Sequence, residues 1–379
     1  MKKLKNANLL IERPNGYEIK KMDILIEDHV IKSIGKEQIC FEEINLEGRT
    51  LIPTFFNIHC HLGESIFRNI EGDDWNLNKY LEYTERYNKK LSVQKRMQAW
   101  KRGARDTIFE LEKNGIYGFC AGRANEAECC AGMNVMAGYP IMKSVKLLEY
   151  RVDGLKKFKE LMTSCRNEKL NIGIFLHSLY KIEKRDLILV QECMEAGAEF
   201  LTVHISENEE TTMTEQCLFH KTAIQTLNEF RLLTPRTVLV HCGYITGRDF
   251  SLVADARASV AVCPISNCFL HEHVPDITLF NEHGIKWYLS TDGLGTGRTF
   301  SLTKQAYVLK TLYPQLSYQQ LFRSFTVWPA TIYNRIHYTG NIQVGTEAVF
   351  NSVKTTETDI EVFFKGLFEE GWDLEIVRF

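Results

Sequence analysis

The chain has 379 residues, of which 44% are hydrophobic and 25% are charged, and its formal net charge is -2. These values are typical of a globular protein with one large and one small domain, or with two medium domains. The low net charge does not favour binding to a nucleic-acid polymer or an anionic membrane. No apolar run approaches the roughly 18 residues that a membrane span requires.

The cysteine content indicates reduced thiols. The chain contains 11 cysteines, none of them in a CxxC pair with the spacing of a zinc finger. It opens with MKKLKNANLLIERPNG, which has no apolar core of a secretory signal. We therefore expect a cytoplasmic protein. Disulfides are rare in the cytoplasm, so its cysteines are expected to be reduced.

Both ends of the chain are rich in predicted strands. Residues 1–49 contain short strand patterns separated by turn signals at PNG and EDH, and residues 338–379 have the same character. Each segment is too short to form a core of its own. We therefore expect residues 1–49 and 338–379 to combine into one small β-sandwich domain.

Residues 50–337 contain a regular alternation of strand and helix patterns. Longer helical stretches, for example at 92–115, 185–198 and 317–334, follow or separate short apolar strand candidates. The strand candidates are 50–59, 116–122, 140–145, 171–178, 200–206, 237–243, 259–266 and 286–292. Eight such units predict an α/β fold, a (β/α)8 TIM barrel with a few insertions.

Polar residues stand where several of these strands end. All strands of a barrel open their carboxyl ends onto one face, where the active site lies. Because His59 and His61 are two residues apart in a strand, their side chains point to the same side. The residues expected to converge on this face are His59, His61, His177, His204, His241 and Asp292.

Three imidazoles and one carboxylate form a suitable ligand set for a divalent metal ion. His59, His61, His204 and Asp292 would supply nitrogen and oxygen donors to zinc or iron and leave one position for water. Such an ion lowers the pKa of water from about 15.7 toward about 7. We expect one metal ion, zinc as the first choice and iron as the alternative.

Two further residues on this face suggest acid–base catalysis. Glu207 follows His204 by three residues, which suits a general acid or base beside the reacting water. His241 would either polarise a developing oxyanion or hold a hydroxide by a hydrogen bond.

The motifs HCH, HISE, HCG, CPISN and STDG, in this order, resemble those of the amidohydrolase superfamily. The resemblance is greatest to the branch of cytosine, guanine and adenosine-type deaminases and triazine hydrolases, and it covers nearly the whole chain. It implies that the four ligands named above hold one metal ion. It also implies that Glu207 shuttles protons and that His241 orients the hydroxide. As a ligand, Asp292 can also accept a proton from the attacking water.

Four residues are candidates for contacting the substrate. HSLY at 177–180 resembles a family segment that often touches substrate, so His177 and Tyr180 are included, although His177 could equally be a structural histidine. Arg123 would reach a polar appendage, or form a surface salt bridge instead. Trp75 would stack on a flat ring, or simply pack its own loop.

Several other positions carry weaker signals. Thr54, Leu179 and Val349 depart from the usual family pattern, which has glycine, proline and aspartate there. Cys60 and Cys242 would face away from the metal ligands as small core residues. A second HxH pattern, FLHEHVP at 269–275, lies past strand 7 and is interpreted as non-metal or as pocket rim.

The leading functional hypothesis is a deaminase that hydrolyses an amino-substituted nitrogen heterocycle and releases ammonia. The heterocycle would be a purine, pyrimidine, pterin or nucleoside. A related hydrolase with another leaving group, such as a chlorohydrolase or a cyclic amidase, is the alternative. A non-catalytic barrel scaffold is disfavoured because all ligands and both acid–base candidates are present. The expected partner is a small molecule, and a homodimer remains open.

Overall fold

The computed structural model describes residues 1–35, 40, 42–72, 74–122, 132–142, 152–164 and 169–379. The chain divides into two compact units. The terminal unit contains Met1–Asn57, Phe109–Gly118 and Ser301–Phe379, and the central unit contains Ile58–Ile108 and Phe119–Phe300.

The strands of the described residues are short, and their order along the chain follows the predicted pattern. They are β1 (Lys2–Lys5), β2 (Asn8–Arg13), β3 (Gly16–Lys21), β4 (Ile24–Glu27), β5 (Val30–Ile34), β6 (Glu42–Asn45), β7 (Thr50–Pro53), β8 (Phe55–Cys60), β9 (Ile116–Ala121), β10 (Asn134–Ile141), β11 (Leu170–Ser178), β12 (Leu201–Ile205), β13 (Thr237–His241), β14 (Ser259–Val262), β15 (Lys286–Leu289), β16 (Val349–Val353) and β17 (Leu374–Arg378).

Several helices begin at a side chain that satisfies a free backbone N–H group. Asn208, for example, accepts a hydrogen bond from the backbone N–H of Thr211. The helices of the described residues are α1 (Leu77–Lys89), α2 (Val93–Lys113), α3 (Gly154–Ser164), α4 (Lys184–Glu195), α5 (Glu209–Phe219), α6 (Ala223–Glu229), α7 (Arg248–Asp255), α8 (Pro264–Phe269), α9 (Ile277–Glu282), α10 (Leu302–Leu312), α11 (Tyr318–Arg323), α12 (Val327–Tyr333) and α13 (Ile360–Lys365).

Strands from both chain ends form two sheets in the terminal unit. Their orders are β5-β4-β1-β6 and β17-β16-β7-β2-β3. Apolar side chains from the two sheets form one core, because each sheet has an apolar face to remove from water. The fully buried members of that core include Leu4, Leu9, Ile24, Ile31 and Leu51. The predicted small β domain built from both termini is confirmed.

Strands β8 to β15 form one eight-stranded sheet in which neighbours in sequence are neighbours in space. The pairs from β10 to β15 are parallel. The backbone N–H of Asp292 donates to the carbonyl of His59 at 3.2 Å, so the segment after the last strand bonds to the first. The predicted (β/α)8 barrel is confirmed.

The strand boundaries differ from the predictions at three places. The strand predicted at 50–59 is divided at Thr54 into β7, in a terminal sheet, and β8, in the barrel. The third barrel strand is β10 rather than 140–145. Its sequence does not predict a strand well, because Gly138 and Pro140 are of types that are rare in central strands. The remainder of the predicted segment, 143–145, lies outside the described residues. The seventh strand ends at Val262, since Pro264 begins α8.

Candidate metal centre and active site

The structure brings the predicted metal ligands together at the carboxyl ends of the barrel strands. Nε2 of His61 and Nε2 of His59 lie 3.3 Å and 3.5 Å from Oδ1 of Asp292. Nε2 of His204 lies 3.3 Å from Nε2 of His59. Donor atoms from these residues form two overlapping groups, one of which also contains His241, and within each group they lie within 4.8 Å of one another.

The protonation of His204 supports a metal site. Its Nδ1–H donates to the backbone carbonyl of His177 at 2.6 Å, so Nε2 carries the lone pair that faces the centre. Burial, followed by the nearby rings of His177 and His59, holds the pKa of His204 well below its usual range. Burial likewise lowers the pKa of His59 to about 4. A neutral imidazole with its lone pair toward the centre, as in His204, fits a divalent cation.

The carboxylate of Asp292 is oriented by two hydroxyl groups that the sequence analysis did not identify. Ser266 Oγ and Thr296 Oγ1 each donate to Oδ2 at 2.7 Å, which leaves Oδ1 toward the histidines. Burial opposes ionisation of Asp292, but the hydrogen bond with His59 and the nearby His61 hold its pKa well below its usual range. The available signals were the serine in CPISN and the threonine in STDGLGT.

Glu207 is a buried carboxyl group beside this cluster, with 8% of its surface exposed. Burial raises its pKa to about 7, while His241 acts in the opposite direction. Nε2 of His241 lies 3.6 Å from Oε1 of Glu207. A carboxyl group with a pKa near neutrality both accepts and donates protons at working pH, as a general acid and base must.

Left-handed backbone conformations shape three of the strand ends that carry the site. Ser206, His241, Cys242 and Asp292 have φ angles of 46°, 70°, 58° and 62°. Each such residue costs on the order of 1–3 kcal/mol outside glycine and persists only where the surroundings enforce it. Hydrogen bonds within the barrel do so here, since the backbone N–H of Cys242 donates to the carbonyl of Ile205 at 3.0 Å.

His177 and Tyr180 lie next to the ligand cluster. The ring centroid of His177 is 4.9 Å from that of His204 and 6.4 Å from that of Tyr180. Nδ1 of His177 is 2.8 Å from the hydroxyl of Ser178. Burial raises the pKa of the Tyr180 hydroxyl. Substrate contact by these two side chains stays a prediction.

Of the other two predicted substrate contacts, Trp75 lies among the residues of its own loop. Trp75 packs against the apolar cluster of Phe67 and Tyr80, and its ring centroid lies 5.5 Å from that of Tyr83. Its indole N–H donates to the carbonyl of Glu71 at 3.0 Å. Trp75 therefore packs within its own loop. Arg123 lies outside the described residues.

One buried carboxyl group was not identified from the sequence. Glu215 on α5 is 1% exposed, and burial raises its pKa to about 8. It accepts hydrogen bonds from the backbone N–H groups of Ser206, Leu179 and Tyr180, on the segments that carry His177 and Glu207. Its position in the polar run ENEETTMTEQ gave no signal of burial.

Cys60 and Cys242 are buried, at 0% and 1% exposed, as expected of small core residues. All eight cysteines of the described residues are free thiols. Within the described part of the chain, no helix has both the length and the apolar character needed to cross a membrane.

These features define a barrel hydrolase with a metal-binding cluster and an adjacent carboxyl group. Residues 50–372 match the amidohydrolase family, and the chain belongs to this family. The family is metal-dependent, and its deaminase relatives make this protein a hydrolase that acts on carbon–nitrogen bonds.

Three relatives are between 15% and 23% identical to the chain over the aligned residues. A 5'-deoxyadenosine deaminase of Methanothrix thermoacetophila is 23% identical over 296 residues, 77% of this chain and 70% of the relative. E. coli guanine deaminase has the same fold, with a TM-score of 0.83 and 19% identity over 96% of this chain and 91% of that chain. Atrazine chlorohydrolase from Arthrobacter aurescens TC1, complexed with zinc, has a TM-score of 0.81 and 15% identity over 96% and 91%.

Proposed function

We propose that the protein is a hydrolytic deaminase of an amino-substituted purine, with adenosine-type nucleosides as the first candidates. The observation that carries this proposal is Glu207, a buried carboxyl group with a pKa of about 7 beside the ligand cluster. The similarity to a 5'-deoxyadenosine deaminase supports a nucleoside substrate. The activity of the guanine deaminase supports a purine ring.

His59, His61, His204 and Asp292 are the proposed ligands of one metal ion. Their donor chemistry, three imidazoles and a carboxylate, fits zinc, with iron as the alternative. Zinc in the chlorohydrolase of the same fold supports that order. When bound, the ion supplies Lewis acidity that lowers the pKa of a water molecule.

Glu207 carries the protons of the reaction. It accepts a proton from the attacking water, whose oxygen forms a bond to the ring carbon that bears the amino group, and it delivers this proton to a ring nitrogen. The second proton, from the hydroxyl group now on the ring carbon, passes through Glu207 to the amino group; the carbon–nitrogen bond breaks, the carbonyl forms, and ammonia leaves. The amino heterocycle and one water molecule are thus converted into the oxo heterocycle and ammonia.

His241 and Asp292 both orient the attacking water. Nε2 of His241 faces Glu207 at 3.6 Å, and Oδ1 of Asp292 faces His59 and His61. Both atoms are hydrogen-bond acceptors, so both suit the water's O–H groups.

The substrate ring is proposed to lie near His177 and Tyr180, which adjoin the ligand His204. Aromatic rings in such positions stack on a flat heterocycle. Arg123 and Trp75 remain proposed contacts for a polar appendage or for the outer part of a nucleoside.

A chlorohydrolase acting on a triazine is the second candidate. The chain shares its fold with the atrazine chlorohydrolase, and the same ligand cluster would serve a ring carbon that loses chloride. A cyclic amidase is the remaining related activity. In these reactions the displaced group is chloride or a ring amide nitrogen, so free ammonia does not accumulate.

The test is a substrate panel with zinc-loaded and iron-loaded enzyme. It contains 5'-deoxyadenosine, adenosine, adenine, guanine, cytosine and an aminopterin-type ring, together with a chlorotriazine and a cyclic amide. The proposal expects ammonia from an aminopurine or its nucleoside. Turnover of the chlorotriazine or the cyclic amide, without ammonia from any purine, would replace it by the second candidate or by the amidase.

We also propose a cytoplasmic location and assembly as a homodimer. The proposed domains are a β-sandwich of residues 1–49 and 338–379 and a catalytic barrel of residues 50–337. The free thiols among the described residues support the cytoplasmic location.

A further inference from the structure

Two motifs noted in the sequence, CPISN and the second HxH pattern, meet at one side chain, Asn267. This residue lies on α8 and is 2% exposed. Its Nδ2 donates to the backbone carbonyl of His273 at 2.7 Å, and its Oδ1 lies 3.2 Å from Nδ1 of His241. A carbonyl oxygen only accepts, so the amide nitrogen of Asn267 must face His273. The amide oxygen then faces His241, whose Nδ1 must donate.

We propose that Asn267 is a positioning residue that holds the ring of His241 in the tautomer with its proton on Nδ1. The inference deepens the proposed function, on which it rests for the role of His241. It assigns a purpose to the second HxH pattern that involves neither metal binding nor acid–base chemistry, because His273 contributes its backbone carbonyl.

This tautomer determines what His241 does at the reaction centre. With the proton on Nδ1, Nε2 carries a lone pair and accepts hydrogen bonds without donating them. Nε2 is fully buried and has no hydrogen-bond partner among the described residues, and it lies 3.6 Å from Oε1 of Glu207. An acceptor in this place directs an O–H bond of the attacking water, and Glu207 takes the other proton.

A contact between the segments after β13 and α8 holds His273 in place. The ring of His273 stacks on Tyr244, with centroids 4.5 Å apart and planes inclined by 8°. The hydroxyl of Tyr244 donates to Oε2 of Glu272 at 3.0 Å. A Cβ atom on Gly243 would lie 2.5 Å from the carbonyl oxygen of His273. The glycine of HCG therefore leaves the space in which that carbonyl reaches Asn267.

Substitutions at Asn267 separate positioning from a merely structural role. Asn267→Leu removes both hydrogen bonds, whereas Asn267→Asp restores an acceptor for His241 and loses the donor to His273. We expect kcat to fall by about 10- to 100-fold in Asn267→Leu and by less in Asn267→Asp. Thermal stability should follow the opposite order, because Asn267→Asp leaves a buried carboxylate against a carbonyl oxygen. A kcat that follows stability in both variants would contradict positioning.

Glycine substitutions provide a matched pair. Gly243→Ala should lower kcat, because the new methyl group displaces the carbonyl of His273. Gly154→Ala on α3 places its methyl group against the flexible side chain of Leu189 and should leave kcat unchanged. Equal kcat values for the two variants would contradict the role assigned to Gly243.

The direct test is long-range ¹H–¹⁵N NMR of the protein labelled with ¹⁵N-histidine, which identifies the protonated ring nitrogen without any substrate. The His241 signals are assigned by their absence in His241→Asn. We expect a protonated Nδ1 in the wild type and in Asn267→Asp, and loss of this preference in Asn267→Leu. A proton on Nε2 in the wild type, or an unchanged tautomer in Asn267→Leu, would overturn the inference. A silent substrate panel leaves this readout intact, so the two failures are distinguishable.

Discussion

At the scale of single residues, the proposed chemistry depends on which atom of each side chain faces the centre. His204 presents Nε2 because its Nδ1–H is bonded to a backbone carbonyl, and Asp292 presents Oδ1 because two hydroxyl groups hold Oδ2. Such outer partners set ligand orientation and basicity. Glu207 differs from these residues because burial, rather than a hydrogen-bond partner, raises its pKa to about 7.

Removing a ligand should remove the metal. We expect His59→Ala and Asp292→Ala to lose nearly all bound metal and activity, since each takes one donor from a cluster of four. Metal analysis after dialysis checks this, with His283→Ala, a substitution outside the cluster, as the control. A full complement of tightly bound metal in either ligand variant would disprove the assignment.

Replacing Glu207 should leave the metal in place. Glu207→Gln keeps size and burial but neither accepts nor donates a proton at neutral pH. Loss of a general acid–base group costs about 10²–10⁴-fold in rate, and the upper end is expected because one group serves several transfers. Metal content and kcat are measured on the same sample. A near-normal kcat would rule out the proton shuttle.

At the scale of elements, α8 and the loop after β15 support the site from outside the ligand set. Ser266 and Asn267 are neighbours on α8, and they hold Asp292 and His241 respectively. Thr296, four residues after Asp292, supplies the second hydroxyl group. Strand β14 ends at Val262, and α8 then carries Ser266 and Asn267. A longer strand would not direct these two side chains toward Asp292 and His241.

The two hydroxyl groups should matter for metal affinity. We expect Ser266→Ala and Thr296→Val each to weaken metal binding by about 10- to 100-fold, because Oδ2 of Asp292 loses a donor and the carboxylate can rotate. Competition with a chelator measures the affinity. Ser290→Ala, a substitution at another buried serine of the barrel, is the control. Wild-type affinity in both hydroxyl variants would show that Asp292 does not need these bonds.

The ligand residues were predictable from the sequence because each one lies at the end of an apolar strand or just after it, and the barrel brings strand ends together. The roles of Asn267 and Ser266 could not be predicted from the motif CPISN. Their partners, His241 and Asp292, are 26 residues away in sequence and belong to other strand ends. The burial of Glu215 could not be predicted for the same reason, because its hydrogen-bond partners are backbone groups of two other segments. Trp75 was predicted as a substrate contact, but an aromatic residue in a loop is as well suited to packing that loop.

At the scale of the whole molecule, buried carboxyl groups connect stability to pH. The pKa of Glu215 rises from 4.5 to about 8 in the folded chain because burial disfavours its charged form. The folded state therefore retains this proton over a pH range in which the unfolded state has lost it. Stability from this group is fully present below about pH 4.5 and declines as the pH rises toward about 8.

Glu215→Gln should remove that decline. We expect the Tm of the variant, relative to wild type, to increase steadily between about pH 5 and about pH 8 and then to level off. Thermal unfolding of both metal-loaded proteins across this range checks the expectation. Glu210→Gln, at an exposed position of the same helix, is the control and should show no such trend. A Tm difference that does not change with pH would contradict the buried, protonated state of Glu215.

The central claim is that the cluster of His59, His61, His204 and Asp292 holds a metal ion with which Glu207 releases ammonia from an aminopurine nucleoside. The most direct measurement is ammonia release from 5'-deoxyadenosine and adenosine, made before chelation, after chelation and after reloading with zinc. We predict one ammonia for each oxo product, loss of turnover on chelation and its return with zinc. No ammonia from either nucleoside with stoichiometric metal bound, or turnover that survives complete metal removal, would contradict the account.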